Sequence, residues 1–161
     1  MRLGAPAGPG SVTISAMVEA KGPPGPSDPE QGVWQGRSVA RRFVSPDGWT
    51  VLVGRTAEDN DVLSIQLASP PDFWYHVAGQ PGSHVVVRNP ERADRPPRDT
   101  ERFAAGLAAG FSSARRGGRV AVHAARCEDV GKPRGLAPGK VTLRRYRTLQ
   151  VEPIRPPTEP E

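Results

Sequence analysis

The sequence of 161 residues contains a single cysteine, Cys127. An internal disulfide is therefore excluded, and paired cysteines for a zinc site are lacking. Long apolar runs are also missing, and no stretch approaches the roughly 20 residues that a membrane-spanning helix requires. The N-terminus has no apolar segment, and Pro6 and Pro9 interrupt it, which argues against a secretory signal. These absences predict a cytoplasmic protein without a membrane partner.

Aromatic residues make up only 6% of the chain and are almost absent from residues 1–36. That segment is dense in glycine and proline, so it cannot bury enough apolar surface to offset the entropy of ordering it. Residues 156–161 have a similar composition. We therefore predict disordered tails at 1–36 and 156–161, on either side of one folded domain at 37–155.

Acidic residues are too few to balance the basic ones in one part of the chain. Residues 37–155 hold 20 basic and 12 acidic side chains, a net charge of +8. Residues 111–147 hold 10 basic and 2 acidic side chains, so this window carries the whole surplus. Such a confined surplus is typical of nucleic-acid binders. The alternative is a generally basic composition without a target, but that would not usually leave the rest of the domain neutral.

Apolar alternation and turn residues predict several strands, and apolar residues three or four apart predict two helices. The first helix should follow Thr56 as its N-cap and end near Ala68, and the second should run from Thr100 to about Arg115. The strands should lie at residues 39–45, 49–54, on both sides of the turn at 80–82, and at 119–128, 141–143 and 149–151. This pattern predicts an α+β fold with an antiparallel or mixed sheet and two helices packed on one face.

The stretch 74–89 brings together side chains that suit a ligand. On strands, Trp74 and His76 share a face, as do His84 and Arg88, while Ser83 opens the second strand. This set can bind a phosphate-rich ligand or hold a metal. The three histidines lack the close spacing of a metal site, and Ser83 and His84 point to opposite faces, so we predict no metal, cofactor or nucleophilic pair.

Two further segments suit anions. The loop from Lys132 to Lys140, which includes Arg134, combines glycines that expose N–H groups, prolines that stiffen the backbone and three cations, as a phosphate cradle would. Arg55 and Asn60 flank the start of the first helix, where anions are favoured. The alternatives are a solvated charged loop and simple helix capping, and for Trp74 an ordinary place in the core.

Several motifs in order resemble one known family, the NFACT-R domain: GRTAEDND (54–61), FWYHV (73–77), PGSHVVVR (81–88), KPRGLAPGKV (132–141) and TLQV (148–151). This domain is the RNA-binding region at the C-terminus of fibronectin-binding-protein-like and ribosome quality-control NFACT proteins, and it also occurs as short standalone proteins. The resemblance covers roughly residues 39–151. It implies a non-enzymatic module that binds RNA, with tRNA, rRNA and the ribosome as candidate partners in translation or RNA processing.

The sequence shows no exposed aromatic pair of the kind that reads single-stranded RNA, so we expect recognition of phosphates and shape in structured RNA. The alternative is an RNA-modifying or RNA-processing enzyme that uses His76, His84 and Asp61 for acid–base or metal chemistry. The predicted RNA-binding residues are Arg55, Asn60, Trp74, His76, Ser83, His84, Arg88, Arg115, Arg116, Lys132, Arg134 and Lys140.

Overall fold

The computed structural model describes residues 23–155. Of the tails predicted to be disordered, at 1–36 and 156–161, residues 1–22 and 156–161 lie outside these described residues. In chain order the strands are β1 (Val33–Trp34), β2 (Arg37–Ser38), β3 (Ala40–Val44), β4 (Thr50–Gly54), β5 (Phe73–Val77), β6 (Val85–Val87), β7 (Val120–Arg126), β8 (Val130–Gly131), β9 (Thr142–Leu143) and β10 (Arg147–Val151). The helices are α1 (Ala57–Asp61), which continues as a π-helix over Val62–Leu67, and α2 (Arg98–Gly110). Short 3-10 turns lie at Pro29–Gln31 and Cys127–Asp129.

One six-stranded sheet forms the centre of the molecule. Its strand order is β10-β7-β5-β6-β4-β3, and every neighbouring pair is antiparallel. Two small antiparallel pairs, β1 with β2 and β8 with β9, stand beside it. The predicted α+β fold with an antiparallel sheet and two helices is confirmed.

The helices, which we expected on one face of the sheet, lie on opposite faces. Val51 and Val53 of β4 belong to an apolar cluster with α2, whereas Leu52 belongs to a second cluster with Leu63 of the π-helix and Trp74 of β5. All five residues of β4 are buried. A strand that is apolar on both sides needs a covering layer on each, and the continuous run Thr-Val-Leu-Val was the signal for this.

The first helix starts as the sequence predicts and then widens. The Thr56 hydroxyl accepts a hydrogen bond from the backbone N–H of Asp59 at 3.0 Å, which makes Thr56 the N-cap. Further on, the N–H of Ala68 donates to the carbonyl of Leu63, five residues back, at 2.9 Å. This is the bond of a π turn, which is rare and frequently marks a functional segment. The π-helix buries Ser64 together with Leu63 and Leu67.

The second helix differs from its predicted limits. It runs over Arg98–Gly110, so Thr100 lies inside it and donates from its hydroxyl to Asp47 at 2.9 Å instead of capping it. At its end, a Cβ on Gly110 would lie 1.9 Å from the carbonyl oxygen of Ile154. The missing side chain lets the residues after β10 pack directly on α2.

Ordered structure begins before residue 37, where the sequence placed the domain boundary. Val33 and Trp34 pair with β2, and Trp34 packs against the second apolar cluster. Glu30 accepts a hydrogen bond from Arg88 at 3.1 Å. These contacts tie the residues before β2 to the sheet, although their Gly/Pro content predicted disorder. Within residues 23–155, no helix has the length and apolar character needed to cross a lipid bilayer.

Candidate functional site

The loop between β8 and β9 is held against the first helix and against His84, the residue before β6, through the backbone of Gly139. Its N–H donates to the two carboxylate oxygens of Asp61 at 3.1 and 3.2 Å, and its carbonyl lies 3.0 Å from Nε2 of His84. Gly139 has a φ of +81°, a conformation that side chains with a Cβ rarely adopt. Asp61 and His84 therefore clamp the loop backbone from both sides.

His84 is the centre of a buried hydrogen-bond chain that fixes its tautomer. A carbonyl oxygen only accepts, so Nε2 carries the proton that reaches Gly139, and Nδ1 is the acceptor. The Ser64 hydroxyl, 2.8 Å from Nδ1, donates to it and itself accepts from the indole N–H of Trp74 at 3.0 Å. The backbone N–H of His84 donates to the side chain of Asn60 at 3.1 Å. The imidazole thus joins the π-helix, β5 and the loop.

Burial keeps this imidazole neutral. His84 is 1% exposed, and its desolvation, reinforced by the neighbouring His76, lowers its pKa from 6.5 to about 4. Burial likewise lowers the pKa of His76, whose ring stacks on Trp74 and forms a T-shaped contact with His84. At neutral pH the cluster adds no charge, and His84 keeps the free lone pair that accepts from Ser64.

The cations of the loop have two different environments. Lys132 donates to the carbonyls of Ala137 and, at 2.6 Å, of Lys140, and it forms an ion pair with Asp61 at 3.2 Å. Its ammonium therefore braces the loop from inside. Arg134 and Lys140 are exposed, and within residues 23–155 neither has a carboxylate within 4.0 Å. Only these two present free charge to solvent from the loop.

Three of the predicted RNA-binding residues are buried and support the fold instead. Asn60 holds the start of β6, and its Oδ1 fills the space beside Gly54, where a Cβ would lie 1.9 Å from it. Trp74 is 2% exposed and offers no face to a base. It is a core residue, which was the alternative interpretation of this tryptophan. His84 is 1% exposed, and both of its ring nitrogens bond within the protein.

Other predicted residues are half-buried or occupied. Arg88 pairs with Asp72 and with Glu30, and its side chain is 11% exposed. Ser83 is half-buried, and its backbone N–H donates to Phe111 at 3.1 Å. Arg55 is exposed and donates to the Ser38 hydroxyl at 3.1 Å. Arg88 therefore belongs to the framework, whereas Arg55 remains at the surface.

Arg115 and Arg116 form a separate basic patch. They follow the end of α2, are exposed, and line an open cavity with Arg155, in which no residue of the 132–140 loop takes part. Apart from Arg55, the predicted cations at the surface therefore form two groups, the exposed pair of the loop and this patch.

The residues named for acid–base chemistry do come together, but in a closed arrangement. His84 uses both ring nitrogens within the protein, and Asp61 is occupied by Gly139 and Lys132. His84 could act as an acid or base only after the loop had moved away. In the part of the chain that the structure describes, no group of three or more His, Cys, Asp or Glu side chains is arranged to hold a metal ion.

The sequence reasoning missed an exposed aromatic residue on the open part of the sheet. Tyr146 is 54% exposed and forms a T-shaped contact with His123 of β7, with 4.7 Å between the ring centroids. His123 pairs with His76 of β5 on one side and with Thr148 of β10 on the other. The available signal was the alternation of Tyr146, Thr148 and Gln150, because a strand that starts before its predicted first residue, Leu149, places these side chains on one face.

Comparison with known proteins places this domain in a family. Residues 40–145 match the family model described as the NFACT protein RNA binding domain. The Rqc2 homolog RqcH of Bacillus subtilis (strain 168) is 37% identical over 115 residues, 71% of this chain and 20% of that protein. The RqcH of Streptococcus suis (strain 05ZYH33) is 39% identical over 118 residues, 73% of this chain and 21% of that protein.

A solved structure agrees with the sequence matches. The C-terminal part of the fibronectin/fibrinogen-binding protein from Streptococcus suis superposes with a TM-score of 0.68 at 36% identity, and covers 73% of this chain and 47% of that one. The Ribosome quality control complex subunit NEMF homolog of Drosophila melanogaster is 31% identical over 56 residues, 35% of this chain and 6% of that protein. The chain thus spans about a fifth of the bacterial curated relatives. With two thirds of its residues inside the matched model, the chain belongs to the NFACT protein RNA binding domain family.

Proposed function

We propose that this protein is a cytoplasmic, non-enzymatic module that binds the phosphate backbone of structured RNA, namely tRNA or rRNA, in translation quality control. The observation that carries the proposal is the clamped 132–140 loop, which a member of an RNA-binding family uses to present Arg134 and Lys140 to solvent. Folded RNA is recognised largely through its phosphates and shape, which exposed cations on a fixed loop suit.

The clamp has a physical purpose in such a module. A glycine-rich loop that is free in solution loses conformational entropy when it binds, and this loss weakens affinity. Here Asp61 binds the backbone N–H of Gly139 and His84 binds its carbonyl, while Lys132 fixes the two ends of the loop to each other. The ordering has therefore taken place during folding, and the cations next to Gly139 need little rearrangement to meet phosphates.

The setting in translation rests on the relatives. One has a name that describes a ribosome quality control complex subunit, and two are homologs of Rqc2. Since the chain spans only about a fifth of the bacterial ones, we propose the shared RNA-binding step and not their complete activity.

A pair of charge reversals tests the proposal. Arg134→Glu with Lys140→Glu should weaken binding of folded tRNA by orders of magnitude at low salt, measured by fluorescence anisotropy. Each lost phosphate contact lowers the slope of log K against log salt by about 0.7–0.9, so the double variant should lose about 1.5 from that slope. Both side chains are exposed, and therefore the thermal midpoint should stay unchanged.

The matched control is Arg98→Glu with Arg102→Glu. These residues are exposed on α2, on the other side of the sheet, and the substitutions change the net charge by the same amount. Equal weakening by both pairs would mean that only total charge matters, and wild-type affinity of the loop variant would refute the proposed site. Sequencing RNA cross-linked to the protein in its own cell then decides the RNA class, because enrichment of neither tRNA nor rRNA contradicts that part of the proposal.

A further inference from the structure

We infer that the open sheet face at Tyr146 and His123 binds one unpaired nucleobase of the RNA, stacked on the tyrosine ring. This inference rests on the proposed RNA binding and extends it from phosphates to a base. It concerns residues that the charge pattern did not single out, and it predicts a preference for RNA that contains unpaired nucleotides.

The first support is the geometry of the tyrosine. The contact with His123 is edge-to-face, with an interplanar angle of 71°. Whichever ring supplies the edge, this contact covers no more than one face of Tyr146. More than half of the residue is exposed, in a chain whose Trp74 and Tyr75 are both almost completely buried. A free aromatic face is the surface on which bases of any sequence stack.

The second support is that the neighbours of Tyr146 hold its backbone in place. Arg144 pairs with Asp129 at 2.9 Å, and Arg147 pairs with Glu101 at 2.7 Å. These ion pairs anchor the chain before and after the tyrosine to the 3-10 turn that follows β7 and to α2. Arg145, the residue before the tyrosine, is 3.5 Å from Asp129 and largely exposed, so its guanidinium stays accessible to a phosphate.

The third support is the row of side chains that links the tyrosine to the loop. The strand register places His76, His123 and Thr148 side by side across β5, β7 and β10. His76 contacts His84, which bonds the carbonyl of Gly139, the residue before Lys140. A nucleotide strand that contacts Lys140 can therefore cross the rings of His76 and His123 to reach Tyr146. Lys140 lies near one end of this path and Arg145 near the other, and the tyrosine ring can stack on a base.

The test compares two RNAs and three proteins. The RNAs are a hairpin with an unpaired loop and a fully paired duplex of the same length, and the proteins are the full chain, Tyr146→Ala and Tyr146→Phe. Loss of one stacked base should weaken hairpin binding by roughly 5- to 150-fold in Tyr146→Ala. Tyr146→Phe keeps the ring and should bind within about twofold of wild type, and duplex binding should be equal in all three.

A spectroscopic readout separates stacking from a structural role. With 2-aminopurine in the hairpin loop, wild type and Tyr146→Phe should change its fluorescence on binding, and Tyr146→Ala should not. Equal hairpin affinity in wild type and Tyr146→Ala would overturn the inference, and so would an equal loss on hairpin and duplex. The Arg134→Glu/Lys140→Glu variant distinguishes the two proposals: if it loses both RNAs while Tyr146→Ala loses neither, phosphate binding stands and base stacking falls. Wild-type protein that binds neither RNA at low salt would refute both.

Discussion

Acid should destabilise this protein in part through one buried imidazole, that of His84. Its pKa is about 4 in the folded protein and 6.5 in an unhindered chain. Below pH 6.5 the unfolded chain therefore takes up a proton that the folded protein refuses, so stability falls as the pH falls toward 4. Between pH 7 and pH 4.5, linkage of these two values amounts to a loss of roughly 2 kcal/mol in the free energy of unfolding.

The comparison with His84→Gln isolates this contribution. Glutamine has an amide N–H that can donate to the Gly139 carbonyl, and it does not titrate in this range. Carboxylates and His76 also respond to acid, but they are present in both proteins. Wild type should therefore lose about 2 kcal/mol more than His84→Gln between pH 7 and pH 4.5, although it is the more stable protein at pH 7.

Urea unfolding at several pH values measures the difference. Tryptophan fluorescence reports the transition, and linear extrapolation gives the free energy in water at each pH. Parallel curves for wild type and His84→Gln would show that the imidazole takes up its proton without penalty in the folded protein. That result would refute the argument that the Ser64 and Gly139 contacts require neutral His84.

Three further changes have expected outcomes that chemical or thermal unfolding can check. Gly54→Ala should cost about 1–3 kcal/mol, because the new Cβ displaces the Asn60 amide, whereas Gly118→Ala, with nothing within 4 Å, should be neutral. Lys132→Glu should lower the thermal midpoint by several degrees, because it breaks the loop brace and sets a second carboxylate beside Asp61, while Arg134→Glu should not. Deletion of residues 1–36 should also lower the midpoint, since it removes Trp34 from the core and Glu30 from Arg88; an unchanged midpoint would contradict that assignment.

Local sequence determined the elements of this protein and the faces of its strands. Val85 and Val87 face α2 while Val86 faces the other layer, as alternation with a period of two requires. The Thr56 cap follows from its hydroxyl, because the bond it makes spans only three residues. The ordered motifs also sufficed to indicate the family that the comparisons confirm.

Only the tertiary structure decided which charged and polar side chains remain available. Composition records the charge of Arg88 and Lys132 but not their partners: Glu30 lies 58 residues from Arg88, and the Asp61–Gly139 contact spans 78 residues. No local pattern encodes such pairings, since they depend on how the loop and the N-terminal segment pack on the sheet. The same packing buries the ring of His84 and leaves the ring of Tyr146 exposed, although each lies in or beside a predicted strand. Burial depends on which helix or loop covers each face of a strand, and that is decided by tertiary packing and not by the local sequence.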